Sequence, residues 1–123
     1  MADYSTLVTT QHAAYIAERT QKDDQFLLDL KAAAKDAGIP ASWIKPAQAS
    51  LMQILLKLNR AKDVVEVGTL AGYSAFVMAR ALPDDGLVRT IEIEPKHVEF
   101  TREWAAKSDV ADKVRVDQGA GSY

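Results

Sequence analysis

Val64-Val65-Glu66-Val67-Gly68-Thr69-Leu70-Ala71-Gly72-Tyr73-Ser74 is the stretch on which the reading of this chain turns. A short β-branched run breaks at glycine, passes through a glycine-spaced turn and restarts at Tyr73 with helical spacing. Glycines let the backbone turn tightly and let a ligand come close to the amides, and the N-terminus of the following helix favours an anionic group. The stretch therefore reads as a ligand loop. It is neither the phosphate loop that ends in Gly-Lys-Ser/Thr nor the G-x-G-x-x-G of dinucleotide enzymes, because Leu70 and Ala71 stand where those need other residues.

Downstream, Leu87 to Ile93 and Val114 to Val116 are two further strand-like runs. Tyr73 to Leu82 reads as a helix ended by the Pro83-Asp84-Asp85-Gly86 turn, and Pro95 to Lys107 as a helix with proline at its first position. The order is β-α-β-α-β, which implies right-handed crossovers and a parallel sheet, half of a doubly wound α/β domain. Both crossovers put their helices on one face, so the other face needs separate cover.

Upstream the chain reads as helices. From Asp23 to Ala37, Phe26, Leu27, Leu30, Ala33, Ala34 and Ala37 recur at helical spacing, with Asp23 or Asp24 to cap the start and Gly38 and Pro40 to stop it. A helix after Pro46 has Leu51, Met52, Leu55, Leu56 and Leu58 as its apolar face, and Leu7 to Arg19 is a weaker helical pattern. Residues 1–61 are thus an N-terminal helical segment of the same domain, and residues 62–123 the ligand-binding half of the α/β unit.

Glu92 closes the run Thr90-Ile91-Glu92 at the carboxyl edge of the predicted sheet, 24 positions after Gly68. A carboxylate about 20 residues beyond a glycine turn suits a ribose diol, because its oxygens accept from both hydroxyls; a solvated strand-end glutamate is the plainer alternative. Glu66 lies in an apolar strand, either as a buried carboxylate satisfied by backbone amides or as a ligand contact, and the cost of an unpaired buried charge favours the ligand. Tyr73 either packs under the loop or touches ligand. Trp43 and Trp104 read as packing residues. His12 and His97 lack neighbouring carboxylates of ligand spacing and read as surface residues.

The 123 residues carry a net charge of -2, without the excess of clustered Lys and Arg that nucleic acid or anionic lipid would attract. The absence of cysteine excludes disulfides, thiolate metal sites and cysteine nucleophiles. No apolar stretch approaches the ~20 residues of a membrane span, and Met1 to Tyr15 has no export-signal pattern, so the expected protein is cytoplasmic and its partner a small molecule.

Glu-x-Gly-Thr-x-x-Gly-Tyr-Ser-Ala at 66–75, Ala-Arg-Ala-Leu-Pro-x-x-Gly at 79–86 and Thr-Ile-Glu-Ile-x-Pro at 90–95 together resemble the catechol and caffeoyl-coenzyme A O-methyltransferase family. The resemblance runs from about Ile44 onward and is specific, because that family tolerates a bulky residue at the position of Leu70, where other methyltransferases have a third glycine. It implies a Rossmann-like class I methyltransferase fold and S-adenosylmethionine (SAM) as cofactor. By the same resemblance, Glu66, Gly68 and Thr69 would contact the methionine part of SAM and Ser74 its carboxylate. Glu92 would hold the ribose. Gly119, Ala120, Gly121 and Ser122 would line the adenine, and Ile44 would face the cofactor from before the sheet. Two positions depart from the family: Ser42, near its usual methionine, and Gln48-Ala49, where it has Gln-Gly.

The implied activity is methyl transfer to a hydroxyl of a small catechol-like or phenolic acceptor, helped by Mg²⁺ or a similar divalent metal. The family's metal-binding aspartates and asparagine and its lysine have no counterparts here. The chain is therefore expected to be the N-terminal part of a longer enzyme, with no catalytic or metal-binding residue of its own. Two other readings remain: a fragment of a nicotinamide-dependent oxidoreductase, or a non-catalytic module that binds an adenosyl ligand. The N-terminal helices could cover the sheet, form a homodimer contact or cap the acceptor pocket.

Overall fold

Three parallel strands form the centre of the molecule, in the spatial order β1 (Asp63–Val67), β2 (Leu87–Glu92), β3 (Val114–Gln118). The computed structural model describes residues 6–122. The sheet is preceded by α1 (Thr10–Arg19), α2 (Gln25–Asp36) and α3 (Pro46–Leu58), and its strands are joined by α4 (Tyr73–Arg80) and by α5 (Pro95–Lys107) with a 3-10 turn, Ala111–Lys113. The β-α-β-α-β order and the parallel sheet are those expected. Residues 1–5 of the N-terminal reading and Tyr123 lie outside the described residues.

The start and stop signals act where the sequence puts them. The Asp24 carboxylate accepts from the Leu27 amide at 3.1 Å and starts α2, whose Leu27, Leu30 and Ala34 are buried. Gly38, at φ 74°, ends it, with the Ile39 amide returning to the Ala34 carbonyl at 2.9 Å. Pro46 and Pro95 occupy the first turns of α3 and α5. Asp23 caps nothing and has another use, described below.

α4 is the pivot of the packing. Every residue from Tyr73 to Ala79 is buried except Ser74, because β2 and β3 press on one side of the helix and α2 and α3 on the other. Phe76 sits at the centre, edge-on to Phe26 with ring centroids 5.6 Å apart, and Phe26 in turn meets Trp104 at 5.5 Å. Each large side chain buried this way contributes roughly 1.5–3 kcal/mol, so α4 and the α2 stripe against it dominate the core. Trp104 packs as expected.

Two faces stay open among the described residues. On the side of the sheet away from α4, Val65, Val67 and Ile93 are 68%, 65% and 69% exposed. On α3 the structure corrects the sequence. Only Met52 and Leu56 of the expected apolar face pack inward, beside Ala49, whereas Leu51, Leu55 and Leu58, with Ile54, are exposed. The helix is apolar on two sides, and periodicity alone does not say which one meets the core.

Candidate functional site

The loop after β1 owes its shape to three left-handed residues in alternation: Gly68 at φ 92°, Leu70 at φ 53° and Gly72 at φ 86°. A Cβ on Gly72 would stand 2.6 Å from Thr101 Cγ2 and 2.9 Å from Phe76 Cε2, so this glycine is demanded by packing as well as by conformation. Gly68 differs. Nothing lies within 4 Å of where its Cβ would be, and the space in front of it is open. Leu70 pays the steric penalty of a side chain in the left-handed region, about 1–2 kcal/mol, and something must hold it there.

Glu92 holds it. The Leu70 amide donates to Glu92 Oε2 at 2.9 Å, and the Glu94 amide donates to Oε1 at 3.0 Å. Burial alone would raise the Glu92 pKa, but the amides of Glu94, Leu70 and Ile93, with the His97 imidazole, bring it below the usual carboxylate value. His97 corrects the sequence reading. Its side chain is largely buried and its Nδ1 lies 3.9 Å from Glu92 Oε2, because the first turn of α5 folds back over the strand end. His12 is exposed and merely caps α1, its Nδ1 accepting the Thr9 amide at 3.1 Å.

A chain of hydroxyls runs behind the loop. Thr90 donates to Glu66 Oε1 at 2.7 Å, and Ser74 donates to Glu66 Oε2. Thr90 has one proton and has given it to Glu66, so the 2.6 Å contact between Thr69 Oγ1 and Thr90 Oγ1 has Thr69 as donor. Glu66 is thus satisfied by hydroxyls and not by backbone amides. Burial pushes its pKa up, a shift that the bonds from Ser74 and Thr90 oppose without cancelling. Strand register explains the meeting: Glu66 stands opposite Thr90 across β1 and β2.

Ser42, Trp43, Ile44, Gly68, Thr69, Leu70, Ala71, Tyr73 and Ser74 line a cavity of about 140 Å³ at the carboxyl edge. Of the residues assigned to the cofactor by resemblance, Ile44, Gly68, Thr69 and Ser74 come together there, beside Tyr73, which is buried under the loop and also contributes to the cavity wall. Glu66 touches Ser74 from behind. Glu92 is joined to the loop through Leu70, and the Gly119 amide donates to the Glu92 carbonyl at 2.9 Å. Ala120 and Gly121 follow along the same edge, with Gly121 against the side chain of Val67 on β1. A larger apolar groove of about 870 Å³, between α1, α2 and α3, contains none of these residues.

Trp43, Leu70, Thr90 and His97 belong to this neighbourhood and were not assigned to it from sequence. Thr90 was within reach, being two residues before Glu92 and hence on the same face of the strand. Among the described residues no group of three or more His, Cys, Asp or Glu is placed to hold a metal ion, and no helix is long and apolar enough to cross a membrane.

A parallel sheet bearing this loop and this strand-end carboxylate is the class I methyltransferase fold, shared with the O-methyltransferase from Bacillus cereus solved in complex with SAH at a TM-score of 0.80 and 30% identity, covering 86% of this chain and 48% of that one. Within that class, the chain belongs to the O-methyltransferase family, whose model matches residues 17–122. The O-methyltransferase from Streptomyces achromogenes, solved in complex with SAM, superimposes at a TM-score of 0.77 with 32% identity, over 86% of this chain and 48% of that one. Among curated relatives, a catechol O-methyltransferase from Niastella koreensis is 36% identical over 105 residues, 85% of this chain and 48% of its own length. The chain thus spans about half the length of the curated relatives it matches.

Proposed function

We propose that residues 6–122 form the SAM-binding half of an O-methyltransferase acting on a hydroxyl of a small catechol-like or phenolic acceptor. The observation that carries the reading is the bond from Leu70 to Glu92, which joins the glycine loop to the carboxylate through one backbone amide. The Leu70 amide bonds one Glu92 oxygen and the Glu94 amide the other, and a carboxylate has about four acceptor directions, so the pair can still take the two hydroxyls of a ribose. The open space before Gly68 and the cavity beside it fit the methionine end. The relatives crystallised with SAM and SAH support the same ligand.

In this reading SAM supplies, when bound, a methyl group activated on a sulfonium. The residues of this chain bind and orient. Gly68 and Thr69 offer backbone at the cavity wall. Ser74 lies in the first turn of α4, where amides and helix dipole favour a carboxylate. Its single hydroxyl proton is given to Glu66, so serving a ligand carboxylate requires Glu66 to release it, and a cationic group near Glu66 would make good that loss. Holding the cofactor fixed is itself catalytic, because transfer needs the acceptor oxygen in line with the methyl group. The acceptor site, and the hard divalent cation that the resemblance implies, are assigned to the part of the relatives that this chain does not span.

The test is calorimetric titration of S-adenosylhomocysteine into the protein, with NAD as control ligand. Saturable binding that Glu92→Ala weakens about a hundredfold, the loss of two charge-assisted hydrogen bonds, is the expected result. Binding of NAD in place of S-adenosylhomocysteine overturns the reading.

A further inference from the structure

Tyr73 contributes to the wall of the loop cavity, yet its hydroxyl donates to Asp23 Oδ1 at 2.7 Å, fifty residues earlier in the chain. The other oxygen of Asp23 pairs with Lys31, one turn into α2 and beyond. The Lys31 ammonium lies 4.1 Å from the centre of the Tyr73 ring and 5.8 Å from that of Trp43, a second cavity residue. One ion pair therefore grips two aromatic walls, one by hydrogen bond and both by attraction of a cation to the ring face.

The pair is not of the weak surface kind. The side chains of Asp23 and Lys31 are 8% and 18% exposed, so water screens them little and removal of one partner leaves a buried charge behind. Neither residue lines the cavity. The aromatic residues they hold line the cavity from two separate segments: Trp43 precedes Ile44 in the entrance segment before α3, and Tyr73 follows Gly72 at the start of α4. Tyr73 and Ser74 are the first two residues of α4, so the anchor on the Tyr73 ring lies next along the chain to the Ser74 hydroxyl.

We propose that Asp23 and Lys31 are positioning residues for the cofactor: their ion pair fixes Tyr73 and Trp43, and through them the cavity that receives the methionine end of SAM. This rests on the reading of the loop as the SAM site. It predicts that cofactor affinity depends on two side chains that touch neither the cavity nor the ligand.

The experiment uses the 123-residue chain, whose tryptophans are Trp43 and Trp104, and compares its dissociation constant for S-adenosylhomocysteine with its melting temperature in the absence of ligand. Lys31→Met and Asp23→Asn should each weaken binding about tenfold, the scale expected when a wall of a binding site shifts by a fraction of an ångström, and Lys31→Arg should recover most of it. Asp109→Asn is the control, since it removes an ion pair to Arg80 away from the cavity; it should lower the melting temperature and leave affinity unchanged. If Lys31→Met lowers the melting temperature while its affinity stays that of the wild type, the pair is structural only and the proposal fails. If the wild type itself does not bind S-adenosylhomocysteine, the SAM reading fails, and the proposal with it. A ligand-free check follows Trp43 fluorescence in a Trp104→Phe background: Lys31→Met should shift the emission, and an unchanged spectrum overturns the claim that Lys31 holds Trp43.

Discussion

The amide of Leu70, a residue held in the left-handed region, donates to the carboxylate of Glu92 at 2.9 Å. Strain in the loop and charge at the strand end are therefore one feature. The carboxylate that would meet the ligand also stabilises the loop that would surround it.

Glu92 should accordingly contribute to stability before any ligand is present. Its pKa is lower in the fold than in the unfolded chain, so its contribution is present above the ordinary carboxylate range and is lost as pH falls through the folded value. Glu92→Ala should cost about 1–3 kcal/mol at neutral pH, the penalty for amides left without an acceptor. Denaturant melts at pH 7 and at pH 3 check this; the wild-type advantage should shrink at the lower pH.

Glu66 has the opposite sign. Its folded pKa is raised, so ionising it costs stability, and that cost grows as pH rises from the ordinary carboxylate range through the folded value. Glu66→Gln removes the buried charge, keeps an acceptor for one of the two hydroxyls of Ser74 and Thr90, and offers its amide N–H to the oxygen of the other. The ligand-free variant should gain on the order of 1 kcal/mol at pH 7, yet bind S-adenosylhomocysteine about tenfold more weakly. Thermal melts paired with calorimetry on the same sample decide it; a variant that loses both properties contradicts the assignment.

At Leu70 size and stability should run in opposite directions. Alanine would lose packing and keep the strained φ of 53°, whereas glycine loses more side chain but escapes about 1–2 kcal/mol of steric penalty. Leu70→Gly should melt at a higher temperature than Leu70→Ala. The reverse order would mean that the strain is absent.

Gly72→Ala combines a left-handed backbone with a methyl group pressed on Thr101 and Phe76. Overpacking of this kind costs about 1–3 kcal/mol before the backbone penalty is added, and both act at the start of α4. Chemical denaturation should show a loss of at least that size, and a smaller one at Gly68→Ala, where the Cβ meets open space.

How much of this could be read without coordinates differs from residue to residue. α2 was legible because cap, stripe and stop agree: Asp24, then Leu27, Leu30 and Ala34, then Gly38. The loop and Glu92 were legible because short-range chemistry defines them, glycine at positive φ and a carboxylate at a strand end. What stayed hidden depends on contacts between distant parts of the chain. Nothing local to Asp23 distinguishes it from the neighbouring cap Asp24, since its partner Tyr73 lies fifty residues away. His97 reaches Glu92 only because α5 doubles back on β2. On α3, the residues 51, 55 and 58 are as apolar as 52 and 56, and only the position of α4 separates the two sides.

The contact of Gly121 with Val67 has a consequence for where a ligand can lodge. The connections that leave β1 and β2 both pass to the side of the sheet occupied by α4 and α5, whereas the chain leaving β3 crosses back to β1 and meets Val67 on the opposite side. Where successive connections part in this way, a crevice opens at the carboxyl ends of the strands, the topological switch point at which open α/β sheets take their ligands. Gly68, Glu92 and Gly119 all follow or close strands at that edge, so under the proposed SAM reading chain routing, before any side chain is considered, favours the same edge as the side chains do.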